Sequence, residues 1–133
     1  PIQRLGLADR VHLAGYFVGD EYPQALAAMD LAVYVAPGTD ETARALREIM
    51  ALGRPTVVAR RGMLAELVKD GETGFVVETR PEVVAQKVLE LAASADMRGR
   101  MGRAAREYAL KNFALEPYTA SLIDFYKRLL AGR

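Results

Sequence analysis

Val33-Tyr34-Val35-Ala36-Pro37-Gly38-Thr39-Asp40-Glu41-Thr42-Ala43-Arg44-Ala45-Leu46-Arg47-Glu48-Ile49-Met50-Ala51-Leu52-Gly53-Arg54-Pro55-Thr56-Val57-Val58-Ala59 reads as strand, loop, helix, glycine stop, strand. Leu31 to Ala36 is a short apolar run suited to a strand buried on both faces. Pro37-Gly38 breaks it, and Thr39 or Asp40 is placed to cap the helix that follows. Ala43, Leu46, Ile49 and Met50 then recur at helical spacing. Gly53 ends that helix and Pro55 prevents its return. Thr56 to Ala59 is a second, β-branched strand. This is one βαβ unit, whose crossover is expected to be right-handed. Its loop leaves the carboxyl end of a parallel strand and enters a helix N-terminus, the place where open α/β sheets bind ligands.

Working outward, the chain has 133 residues, one domain by length. It is 51% hydrophobic and 26% charged, so it has the material for a real core. Eighteen basic side chains face 17 acidic ones, for a net charge of +1, which argues against a dedicated nucleic-acid binder. There is no cysteine, hence no disulfide framework and no thiolate chemistry, as suits the cytoplasm, where we expect the protein to work. The single histidine, His12, cannot build a His-cluster metal site, and we expect no metal; it reads as a packed or surface histidine. No apolar run is long enough to span a membrane, and the N-terminus has no apolar signal-peptide core.

Upstream, Ile2, Leu5 and Leu7 are spaced like the end of a helix that Gly6 closes, so we expect the natural chain to continue before residue 1. Val11 to Tyr16 reads as a strand left through Gly15. Glu21 to Met29 reads as a short helix with Tyr22, Leu26 and Met29 on one face. Downstream, a short helix over Met63 to Lys69 leads to the turn Asp70-Gly71-Glu72-Thr73-Gly74 and a brief strand over Phe75 to Val77. Pro81 opens a helix to about Ala93 at the position where proline is favoured, with Val84, Val88 and Leu91 as its buried stripe. Asp96 caps the next, to about Lys111, and Arg98, Arg100, Arg103 and Arg106 make one side of it basic. After a break at Phe113 to Leu115, a last helix carries Tyr118, Leu122, Phe125 and Leu129 in one apolar row, with Ile123, Tyr126 and Leu130 beside it. About four strands and six helices alternate and then end in helices. The expected class is therefore α/β, a Rossmann-like parallel sheet followed by C-terminal helices.

The ordered set of motifs resembles the C-terminal half of GT-B-fold retaining glycosyltransferases, in particular group 1, family 4. Arg10-Val11-His12-Leu13-Ala14-Gly15-Tyr16 is similar to that family's "RVxFxGy" strand, and Met29 to Pro37 to its "aDxfvxPS". Asp40 to Pro55 resembles its signature: an acidic residue, seven others, then Glu-Ala-Met-Ala-x-Gly-x-Pro, here Glu48-Ile49-Met50-Ala51-Leu52-Gly53-Arg54-Pro55. Gly62 to Glu66 and Asp70 to Val77 look like "GGxxE" and "DGxnGxLv". The resemblance implies a domain that binds a nucleotide-diphosphate sugar donor, partnered by an N-terminal acceptor domain that these residues do not include. Residues 1–133 are thus expected to be a single partial domain, with no catalytic residue of its own and no activity alone. By position, Glu48 matches the acid that binds the donor ribose, and Asp40, with the amides after it, the group that holds sugar and pyrophosphate.

Four departures weigh on this. Asp40 is one methylene shorter than the usual Glu. The usual Gly-Phe-Gly is Glu41-Thr42-Ala43, which adds a side chain and a negative charge where glycines would let backbone approach a phosphate. The second glycine of "GGxxE" is Met63, and the Arg/Lys pair expected to neutralise the diphosphate lies outside this stretch. The donor-binding set is therefore Asp40, Glu41, Thr42 and Glu48, with Arg60, Arg61, Gly62 and Glu66 as further candidates.

Each has a plainer reading. Asp40, Arg44 and Glu48 stand at successive i,i+4 positions and make a charge ladder. Asp40 is also explained by capping. Arg60 and Arg61 suit a solvated sheet edge, and Glu66 a solvated or capping carboxylate. The arginine face at 98–106 suits either solvent or a peripheral contact with anionic lipid. The wide apolar face of the last helix, and a strand edge left open by the absent part of the sheet, point to a homo-oligomer. Two rival readings remain: a noncatalytic module that keeps the fold without donor chemistry, favoured by Glu41-Thr42-Ala43, and a sugar-nucleotide epimerase, which would need a catalytic histidine and further acids.

Overall fold

A computed structural model of the chain describes residues 1–36 and 43–132. Their order is α1 (Glu21–Ala27), β1 (Ala32–Tyr34), α2 (Arg44–Ala51), β2 (Thr56–Ala59), α3 (Leu64–Leu67), β3 (Gly74–Val77), α4 (Pro81–Ala93), α5 (Ala95–Asn112) and α6 (Leu115–Ala131). The three strands form one parallel sheet in the order β1-β2-β3. Val33 lies opposite Val57, and Val58 opposite Val76. The α/β class and the helical C-terminus are as the alternation predicts.

Every residue of β2 is buried, because this central strand has helices packed on both of its faces. Side chains alternate along the strand. Val58 and Val76 point into a layer built from Ala43, Leu46 and Met50 of the α2 region, Leu64 and Leu67 of α3, and Ala105 and Ala109 of α5. Val57 and Val77 point the other way, against Leu91 of α4 and Met101 of α5. A smaller cluster, Leu26, Ala32 and Ile49, seats α1 on β1 and α2, with Tyr22 and Met29 packed against it.

The end of α2 shows how local sequence sets this packing. Gly53 takes φ 70°, its N–H bonds the Met50 carbonyl at 2.9 Å, and the Arg54 N–H bonds the Ile49 carbonyl at 3.2 Å. That double bond is the glycine-closed helix end expected at Gly53. The same pattern recurs at Gly6, where Gly6 bonds Gln3 and Leu7 bonds Ile2. The expected helix end is there as a closing turn, with no regular helix assigned before it. Gly102 serves α2–α5 packing: a Cβ there would come within 2.2 Å of the Gly53 carbonyl oxygen. Only a glycine lets the two backbones meet this closely.

Three expectations fail. The Leu31–Ala36 run, suited to burial on both faces, gives a strand only over Ala32–Tyr34, and its Val33 is 43% exposed because no described element covers that side of β1. Val11–Tyr16 is not a strand. Leu13 and Tyr16 are 86% and 101% exposed, and no described strand lies alongside to share a ladder, without which β-propensity has nothing to act on. The described sheet therefore has three strands rather than four. The N-cap of α5 is Ser94, whose Oγ accepts from the Met97 N–H at 3.1 Å. Asp96 sits inside the first turn and pairs with Arg100 at 2.7 Å.

Candidate functional site

Parallel strands end at one edge. β1 runs out at Tyr34, β2 into Arg60-Arg61-Gly62 and β3 into Glu78. The Arg60 N–H bonds the Val77 carbonyl at 2.7 Å, and its guanidinium faces Glu78 at 3.3 Å and the Val76 carbonyl at 3.4 Å. Arg60 thus ties the ends of β2 and β3 together. Arg61 is exposed and, among the described residues, its side chain has no partner. Gly62 takes φ 53°, a left-handed turn that points the chain into α3. Glu66 is exposed on α3.

Glu48 lies in α2, on the helix that begins beyond the β1 edge. Arg44 Nε donates to Glu48 Oε1 at 2.8 Å, and Tyr22 Oη, from α1, donates to Oε2 at 2.7 Å. The Glu48 side chain remains 30% exposed. The bond to Glu48 raises the Tyr22 pKa above its ordinary value, with partial burial adding to it, because ionising the phenol would set an anion against the carboxylate. The same carboxylate raises the Arg44 pKa. Glu48 also borders an open groove of about 360 Å³ shared with Arg44, Arg47, Leu110 and Phe113.

A carboxylate has about four acceptor positions, two on each oxygen. Arg44 takes one on Oε1 and Tyr22 one on Oε2. Among the described residues nothing else bonds these oxygens, so one position per oxygen is left, on a side chain already held in place. Such a group suits a ligand that offers two neighbouring hydroxyl donors.

The family model for glycosyl transferases group 1 matches residues 2–94. The chain belongs to the group 1 glycosyl transferases. It is 25% identical over 122 residues to spore coat protein SA of Bacillus subtilis, covering 90% of this chain and 32% of that protein. It is 27% identical over 130 residues to N-acetyl-alpha-D-glucosaminyl L-malate synthase of Bacillus anthracis, covering 97% and 33%. HepE of Anabaena, solved in complex with UDP and glucose, superposes with a TM-score of 0.83 at 25% identity, over 96% of this chain and 34% of that one. A C-terminal domain of a group 1 family protein from Francisella tularensis shares the fold, with a TM-score of 0.68 over 86% of this chain and 59% of that one. The chain spans about a third of the curated relatives' length.

Within this group 1 domain, the expected site residues divide. Glu48 is brought to Tyr22 and Arg44. Arg60, Arg61 and Gly62 share the carboxyl edge of β2. Asp40, Glu41 and Thr42 lie outside the described residues, as do Thr39 and the capping expected of it. α2 has Ala43 at its N-cap position. The i,i+4 ladder holds for Arg44–Glu48. Sequence reading missed Tyr22 as a partner of Glu48. The two are 26 residues apart, and Tyr22 sat on an apolar stripe that explained it already.

The basic side of α5 is partly spent inside the chain. Arg98 donates to the Leu91 and Ala92 carbonyls at the end of α4, Arg100 pairs with Asp96, and Arg106 donates to the Ala51 carbonyl. Arg100 and Arg103 remain exposed at the surface. Among the described residues, no cluster of histidine and acidic groups is placed to hold a metal ion, and no helix is long and apolar enough to cross a membrane.

Proposed function

We propose that this group 1 domain binds the nucleotide-diphosphate sugar donor of a retaining glycosyl transfer, with Glu48 accepting from the donor's ribose hydroxyls. The observation that carries the reading is the Glu48 carboxylate, held by Arg44 and Tyr22 and, among the described residues, left with one acceptor position on each oxygen. A ribose presents two adjacent hydroxyls, one for each. The likeness to HepE, solved with UDP and glucose, supports this ligand class. Asp40, Glu41 and Thr42 belong to the same donor loop on this reading.

Group transfer from such a donor needs the departing diphosphate's charge to be stabilised and the acceptor to be positioned. Arg61 is the side chain at the sheet edge best placed for the first task, because Arg60 is engaged with Glu78. An N-terminal acceptor domain would supply the second. The whole protein would work in the cytoplasm, where nucleotide sugars are made. The α6 face, exposed at Phe125 and Leu130, would be covered by self-association when these residues stand alone.

Calorimetric titration with UDP, GDP and ADP sugars tests the reading. One of them binds, and Glu48→Gln weakens it by about 1–2 kcal/mol, the scale of one charge-assisted hydrogen bond. The melting temperature moves little, because an i,i+4 pair is worth about 0.3–0.5 kcal/mol. If no nucleotide sugar binds, the noncatalytic reading favoured by Glu41-Thr42-Ala43 takes its place.

A further inference from the structure

Tyr22 is an odd member of its helix. α1 has seven residues and seats itself through Leu26, buried against Ala32 and Ile49. The Tyr22 ring packs on that same cluster, so a phenylalanine would satisfy the packing. The hydroxyl is extra, and it is the hydroxyl that reaches across to α2 and meets Glu48 Oε2 at 2.7 Å. Arg44 holds the other oxygen from one turn before on the same helix. Arg44 is a long, exposed side chain and a loose restraint. Tyr22 has only two side-chain torsions and a packed ring, so its hydroxyl is a fixed point.

We propose that Tyr22 is a positioning residue for nucleotide binding: its hydroxyl fixes the Glu48 carboxylate so that the open acceptor position on each oxygen meets the two ribose hydroxyls. The inference rests on the donor-binding reading of Glu48. It adds that the first helix, which carries none of the expected donor residues, sets the geometry of the ribose contact. The phenol keeps its proton well beyond neutral pH because the carboxylate beside it disfavours ionisation. The donor hydrogen is therefore present throughout the physiological range. With it gone, Glu48 would turn on Arg44 alone, and a ligand would have to order the carboxylate as it binds.

The test is Tyr22→Phe, which deletes one oxygen and keeps the ring. UDP, GDP and ADP, and their 2′,3′-dideoxy counterparts, are titrated into the wild-type chain, Tyr22→Phe, Glu48→Gln and the double variant. Tyr22→Phe lowers affinity for the preferred ribonucleotide about three- to tenfold, the effect of one hydrogen bond. It leaves the dideoxy nucleotide unaffected, and it adds nothing further in the Glu48→Gln background. A merely structural role would weaken both nucleotides equally and lower the melting temperature. That result overturns the proposal, as does unchanged affinity of Tyr22→Phe while Glu48→Gln binds more weakly. If Glu48→Gln itself leaves ribonucleotide affinity intact, the donor reading falls and takes this inference with it.

Discussion

α2 and α6 are both amphipathic helices, and they end up in opposite situations. α2 has eight residues and buries Leu46, Ile49 and Met50; α6 has seventeen and buries none. The difference is position, because apolar stripes are present in both. α2 is the crossover between two adjacent parallel strands, so connectivity lays it on the sheet, and α5 closes over it through Gly102. α6 leaves from the far end of α5, and nothing among the described residues comes back over it. An apolar stripe therefore says that a helix wants a partner. Connectivity says whether the chain supplies one.

The contrast can be broken by substitution. Leu46 is fully buried, so Leu46→Ala should cost about 2–5 kcal/mol in denaturant unfolding. A cost below about 1 kcal/mol would mean that the α2 layer is not the core described. Gly102→Ala should cost about 1–3 kcal/mol, because its Cβ would be driven into the Gly53 carbonyl and α5 would have to lift off α2. Phe125→Glu on α6 should change stability by no more than about 0.5 kcal/mol, as for other exposed positions. In light scattering it should convert an associated chain to monomer. A large stability loss with an unchanged mass would show that the α6 stripe is satisfied within the chain after all.

Much of this was legible from residues alone, and particular cases show why. Gly53 and Pro55 marked the end of α2 because the left-handed closing turn admits few other residues, and Gly53 takes it at φ 70°. Pro81 marked the start of α4 for the corresponding reason at the other helix end. Thr56, Val57 and Val58 announced a β-branched strand, and every residue of β2 is buried; the apolar run at Leu31–Ala36 promised burial on both faces that β1, at the sheet edge, does not have. Val11–Tyr16 misled because a strand is a property of a pair: its apolar residues fit a sheet, but no described strand stands beside them. Asp96 misled because a cap is decided by backbone geometry: Ser94, two residues earlier, is the one whose hydroxyl meets the Met97 N–H. The role of Gly102 was not legible at all, because it depends on the Gly53 carbonyl of α2's end lying against it.

The candidate site was half legible. Glu48 emerged from signature spacing, and its tie to Arg44 follows from helical periodicity. Its tie to Tyr22 did not, since contact between α1 and α2 is a product of packing on β1 that no local pattern encodes. Arg60 emerged as a basic group at the sheet edge, while its engagement with Glu78 depends on the β2–β3 register.

The central claim is that the Glu48 carboxylate, held by Tyr22 and Arg44, receives a ribose. A crystal structure of the protein with its preferred nucleoside diphosphate tests this most directly. The account predicts both ribose hydroxyl oxygens at about 2.6–3.2 Å from the two Glu48 oxygens, with the Tyr22 and Arg44 bonds intact. A nucleotide bound elsewhere, with Glu48 still closed on Tyr22 and Arg44 and out of reach of the sugar, would contradict it.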